Sequence, residues 1–169
     1  MIRTPLFAAL ALAAVAGCAP KGEKDAGADG AVAIVEAIYK PYRDGAPAPA
    51  WFDAAPFTPD MRALIDKLHA AETAGGGEVI DADPTVGGND AALSDIKVAA
   101  GGAPVAHKVV VNATFRNGDT PVTAHFDMAE SDGAWEVDNI RSATTTVPDY
   151  DLRKDITAGI AEVSAPLKP

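Results

Sequence analysis

From residue 108 to residue 137 apolar and polar side chains largely alternate, broken by Asn117-Gly118 and Asp132-Gly133. A period of two puts alternate residues on opposite faces of a strand, so this stretch cannot settle as a helix without scattering its apolar set. Asn-Gly and Asp-Gly are hairpin turn dipeptides, because both residues reach positive φ at low cost. The prediction is an antiparallel meander. With Asn117-Gly118 as the two-residue turn, Val111 faces Ala124, Val109 faces Phe126, Ala113 faces Val122 and Phe115 faces Thr120 on one side. The other side pairs Lys108 with Asp127 and Val110 with His125. The first set is apolar except at the turn, as a face buried against helices requires. The Asp132-Gly133 turn sets Met128 opposite Val137, and a bulge near Asn139 is needed to bring Ile140 onto the buried face. A short strand over 96–98 precedes the meander.

Helices flank it. Ala31, Ile34, Val35, Ile38, Tyr39 and Tyr42 recur at steps of three and four, an apolar stripe that starts near Asp29 and closes around Pro41. Thr58-Pro59-Asp60 supplies an N-cap, a proline at the first turn and an acid on the positive helix end, ahead of Met61, Leu64, Ile65 and Leu68. Leu152, Ile156, Ile160 and Val163 mark a short final helix. Residues 73–95, rich in glycine and aspartate, read as loop. The expected class is α+β, with N-terminal helices on a curved, cone-like antiparallel β-meander and a short C-terminal helix.

The first residues set the address. After Arg3 comes an apolar run over 6–15, about ten residues and half of what spans a hydrocarbon core, hence a signal segment. Val15-Ala16-Gly17-Cys18 resembles the lipobox of bacterial lipoproteins, an aliphatic residue and small residues leading to the acylated thiol. The plainer alternative is an ordinary secretory signal. The division expected is a signal peptide over 1–17, lipidated Cys18 with a flexible tether over 18–29, and one domain over 30–169. Ala19, rather than Asp, after the lipidated residue favours the outer membrane, facing the periplasm. Cys18 is the only cysteine, so stability must come from packing rather than an intrachain disulfide.

The chain has 14 Lys and Arg against 24 Asp and Glu. Removal of residues 1–17 takes only Arg3 from that count, leaving 13 against 24, or −11. Nucleic acid and anionic surfaces repel such a domain, so nucleic acid is not an expected partner.

The runs Ala33-Ile34-Val35-Glu36-Ala37-Ile38-Tyr39, Phe57-Thr58-Pro59-Asp60-Met61, Ile80-Asp81-Ala82-Asp83-Pro84 and Asp132-Gly133-Ala134-Trp135-Glu136-Val137-Asp138-Asn139-Ile140-Arg141 resemble the bacterial domain of unknown function 3828. The resemblance covers roughly 31–152 and implies kinship with the nuclear-transport-factor-2-like cone fold. The loop Thr-Val-Gly-Gly-Asn-Asp after Pro84 departs from the family in lacking an aromatic residue.

Three constellations bear on function. Tyr39, Tyr42, Trp51 and Phe52 are candidates for an amphipathic pocket at the cone mouth, whereas Phe115, Phe126 and Trp135 read as core. His125 and Asp127 share a strand face and would be the base and its orienting carboxylate in a cone-fold hydrolase, isomerase or cyclase. The predicted register turns them away from the helices, into a solvated charge ladder with Lys108 and Asp138. His69 and His107 have no partners recognisable in sequence. Asp81, Asp83, Asn89 and Asp90 are oxygen ligands of a kind calcium takes, but Val86 and Ala92 stand where an EF-hand needs glycine and glutamate, so turn chemistry is the expectation. No nucleophile, phosphate-loop, dinucleotide or Cys/His metal motif is present, and no catalytic residue, metal or cofactor is assigned. The reading that follows is a membrane-anchored, non-catalytic domain binding a small amphiphilic ligand or an envelope protein. The alternatives are the His125/Asp127 enzyme and a partner or inhibitor module using the outer sheet face around Val110, Asn112 and Thr114.

Overall fold

The computed structural model describes residues 27–75, 77–142 and 150–164. The signal segment, Cys18 and all but the end of the tether lie outside them. The chain is α+β: helix α1 (Ala28–Asp44), a 3-10 turn (Trp51–Asp53), α2 (Pro59–Gly75), strands β1 (Leu93–Ala100), β2 (Lys108–Asn117), β3 (Thr120–Ser131), β4 (Ala134–Ser142) and β5 (Tyr150–Asp151), and α3 (Leu152–Val163). The strands form one antiparallel sheet in the order β1-β2-β3-β4-β5.

Helix α1 begins at Ala28, inside the expected tether, because Gly27 takes the cap position and Asp29 sits in the first turn, where its charge favours the positive helix end. It also runs past Pro41 to Asp44. A proline removes one donor, but here it falls in the last turn, and Gly45 in the left-handed conformation closes the helix onto the Pro41 carbonyl. The buried stripe is Ala31, Val35, Ile38 and Tyr39, laid across β1, β2 and β4. In α2, Thr58 caps as expected, its hydroxyl accepting from the Met61 amide at 3.3 Å, and Met61, Ile65 and Leu68 are buried. Asp151 caps α3 by accepting from the Lys154 amide at 3.1 Å. Leu152 and Ile156 below that cap are fully buried.

The meander forms with its register shifted by two residues from the prediction. Val111 pairs with Phe126, Ala113 with Ala124, Phe115 with Val122 and Val109 with Met128; Lys108 faces Ala129 and Val110 faces Asp127. The turn residues are Gly118 and Asp119, with positive φ at Gly118 alone, the pattern of a II′ turn. Asn117 stays in the strand because its side chain is engaged elsewhere: it accepts from the Ala92 amide at 2.9 Å and donates to the Asp90 and Val86 carbonyls at 2.8 and 3.2 Å. A shift of two leaves every side chain on its predicted face. It also makes the inner pairs from Val109 to Phe115 apolar throughout, since Phe115 now meets Val122 rather than Thr120, and leaves the polar Asn117–Thr120 pair at the turn. The Asp132-Gly133 turn and the Met128 to Val137 pairing are as predicted, with positive φ at both turn residues. The required bulge is at Asp138, the extra residue between Val137 and Asn139, and it returns Ile140 to full burial opposite Phe126.

Strand β1 is longer than predicted and carries a bulge at Asp95, where φ is +57°. Strand β5 was not predicted, two residues being too short for any periodicity to show.

Candidate functional site

The four pocket candidates separate into two groups. Tyr39, with no exposed surface, packs its ring against Phe115, Phe126 and Tyr42 at centroid distances of 5.4, 6.1 and 6.2 Å. Its hydroxyl donates to the Thr85 carbonyl at 2.6 Å. Burial, then Asp83 and Tyr42 beside it, holds this phenol well above its usual pKa. Tyr42 is half-buried above it, raised by burial and then by Asp83. Trp51 and Phe52 lie elsewhere, because the Pro/Ala stretch over 46–50 carries the chain to α2. There the Trp51 ring meets Phe57 and Phe52 at 6.3 and 5.5 Å, and Phe52 meets the His69 ring at 4.7 Å. Their cleft holds about 80 Å³ and is not lined by Tyr39 or Tyr42. That is less than a third of the roughly 300 Å³ at which ligand pockets begin.

Tyr150 joins the first group. Burial, then Asp155 and Asp83, raises its phenol, so all three tyrosines of the chain gather near the Asp83 loop. The Tyr150 hydroxyl is buried without a hydrogen-bond partner. The loop itself is a turn: one Asp83 carboxylate oxygen accepts from the Thr85 amide at 2.7 Å and the Thr85 hydroxyl at 2.6 Å, while the Asp83 carbonyl takes the Gly87 amide at 3.0 Å. Among the described residues no three His, Cys, Asp or Glu side chains gather as a metal site would require.

His125 and Asp127 lie on the outer face, as predicted, but they do not form a dyad. The His125 Nδ1 bonds the Asn112 side-chain oxygen at 2.7 Å, and Arg141 donates two bonds to Asp127, at 2.8 and 2.6 Å. The carboxylate expected to orient the base is bound to Arg141 instead, and the Nδ1 position of His125 is held by the Asn112 amide. The predicted charge ladder is corrected too. Lys108 sits across from Ala129, Asp127 takes Arg141, and the bulge aims Asp138 at Arg153 and Thr58, at 2.7 and 3.1 Å. His107 pairs with Glu130 at 3.2 Å.

Of the clefts that open outside the filled core, two border the outer-face residues described above. A polar one of about 360 Å³ is lined by His125, Arg141, Ser142, Tyr150 and the start of α3. The other, about 490 Å³, lies between residues 101–105 and the outer face of β2 and β3. Ala103, Val105, Val110 and Ala129 give it apolar surface, and Lys108, Asp127 and Asp138 give it charge. Volumes of 300–1,000 Å³ with few polar groups suit small amphipathic ligands. Val105 is 74% exposed and stands as the one exposed large apolar residue among the described residues. It is presented rigidly. Val105 and Lys108 exchange backbone hydrogen bonds of 2.9 and 3.1 Å around Ala106 and His107, both at positive φ, a tight turn built without glycine. Sequence reasoning missed Val105, Arg141 and Tyr150. Of these only Val105 had a signal, the uncharged run Gly101-Gly102-Ala103-Pro104-Val105-Ala106.

Comparison with protein-family models, curated proteins and solved structures found no match to this chain.

Proposed function

We propose that the chain is a lipid-anchored protein of the bacterial envelope, held through Cys18 at the outer membrane and facing the periplasm, with a non-catalytic binding domain. Its ligand is a small amphiphile taken up in the outer cleft beside Val105 and Val110. The observation that carries this reading is the contrast between inside and outside. Tyr39, Phe115 and Phe126 fill the cone, whereas the outer face offers about 490 Å³ with an apolar wall and charged rim. The lipobox-like Val15-Ala16-Gly17-Cys18 supports the address. Kinship with the domain of unknown function 3828 and the cone fold belongs to the same proposal, supported by the α+β architecture and the quoted runs. Among the described residues no helix is long and apolar enough to cross a membrane.

Native mass spectrometry of gently purified protein tests the ligand, together with thermal shift using dodecylphosphocholine as the amphiphile probe. Saturation at about 100 times the Kd stabilises the fold by ~2.7 kcal/mol. Val110→Asp places a charge on the cleft wall without touching the core, so it removes both the bound mass and the shift while the ligand-free melting point holds. Tyr42→Ala leaves binding intact. Wild-type protein that carries no bound mass and is not stabilised by the probe defeats the reading. A protein partner crosslinked through Val110 under those conditions favours the partner module.

A further inference from the structure

We propose that the Val105 corner of the domain rests on the lipid surface to which the chain is tethered, turning the outer cleft toward the bilayer. This rests on the anchoring reading and goes beyond it, because an anchor fixes where a domain is and not how it faces.

The argument starts at the N-terminal end of α1. Gly30 packs so closely on Trp135 that an added methyl group would lie 2.9 Å from the indole Cδ1. Trp135 follows the Asp132-Gly133 turn, so α1 begins at that end of the sheet and runs toward the other, where Tyr39 meets Phe115. Residues 101–107 belong to the starting end as well: Lys108 pairs with Ala129, and the Glu130 amide donates to the His107 carbonyl at 2.8 Å. The entry point of the tether and the exposed Val105 therefore share one end, and the Gly118 turn marks the opposite one.

From Cys18 to Gly27 is nine peptide steps, a reach of no more than about 30 Å. Within that distance the lipid surface is always available to this end of the domain. Because the anchor already supplies the proximity, the corner needs only enough apolar contact to favour one orientation. Val105, Ala103 and Pro104 supply it, with no charged residue between Gly101 and Ala106. Lys108, exposed beside them, suits a phospholipid phosphate. A second copy of the chain is a poorer occupant, since two domains of net charge −10 repel.

The test uses the mature chain from Cys18 onward. That thiol is the only one present, so a maleimide phospholipid couples there alone, and the conjugate is placed in phosphatidylcholine nanodiscs containing a nitroxide-labelled lipid. The expected result is loss of the Val105 and Ala106 amide signals while those of Gly118 and Asp119 persist. Val105→Asp, at an exposed position, should restore the first pair. Equal broadening at both ends, or broadening at the Gly118 end, overturns the proposal. So does broadening at Val105 that grows with protein concentration without lipid, which would assign the corner to a second copy. The mass of the natural protein extracted from membranes is a separate measurement: an unacylated Cys18 defeats the anchoring reading, whereas the nanodisc result decides the orientation.

Discussion

The Tyr39 hydroxyl reaches the Thr85 carbonyl at 2.6 Å from a side chain with no exposed surface, so neither group has water to turn to. Tyr39→Phe keeps the ring contacts and orphans the carbonyl. A loss of about 1–2 kcal/mol at neutral pH is expected, read as a lowered denaturation midpoint. The same residue sets an alkaline limit. Below its ordinary pKa of 10 the phenol is protonated whether folded or unfolded, and pH has no leverage through it. Above 10 the unfolded chain releases the proton while the folded one, its pKa raised, keeps it, so stability falls as pH climbs toward the folded value. The slope approaches ~1.4 kcal/mol per pH unit for such a group. Tyr150 acts in the same direction. A melting point that is level below pH 10 and drops above it, less steeply in Tyr39→Phe, is the expected profile. One equally steep in the variant would place the alkaline sensitivity elsewhere. The hydrogen-bond partner of Tyr39 was not legible in its sequence. Its stripe marked it as inward-facing, but the oxygen it bonds lies 46 residues away, and no local pattern encodes that meeting.

Helix α3 shows an element whose sequence preference and packing pull in opposite directions. Glycine within a helix is about 1 kcal/mol worse than alanine, so Gly159→Ala is stabilising on propensity alone. In this fold a methyl group at Gly159 would stand 2.0 Å from Val79 Cγ1 and 3.3 Å from its Cβ. A β-branched side chain has few rotamers with which to yield, so the clash outweighs the propensity gain. A net loss of about 1–3 kcal/mol in chemical denaturation is expected, recovered in part by adding Val79→Ala. An unchanged or raised midpoint would show that the 79 segment gives way freely. The stripe at 152, 156 and 160 was enough to predict the helix, because periodicity is local. Asn117-Gly118 likewise announced a hairpin. It misplaced the turn by one residue, and so the register by two, because the Asn117 amide is held by the 86–92 loop, a partner the dipeptide does not contain.

At the scale of the whole molecule the decisive residue is Cys18. Cys18→Ser is expected to abolish labelling by fatty acid and to release or mislocalise the protein, and globomycin should make the unprocessed precursor accumulate in wild type. Failure of labelled fatty acid to enter the wild-type chain would remove the anchor from the account. By itself the sequence determined the α+β class, the alternation of inward and outward faces along β2 and β3, and the need for a bulge before Ile140. Each of these follows from neighbours along the chain, where periods of two and 3.6 and turn chemistry act directly. The tertiary structure alone decided the partners. It gave His125 an amide and Asp127 a guanidinium, divided Tyr39 and Tyr42 from Trp51 and Phe52, and left room on the outside of the sheet rather than in the cone. Side-chain identity states which bonds a residue is able to make. Which of them it does make depends on what the fold brings within about 3 Å, and that is a property of the assembled layers.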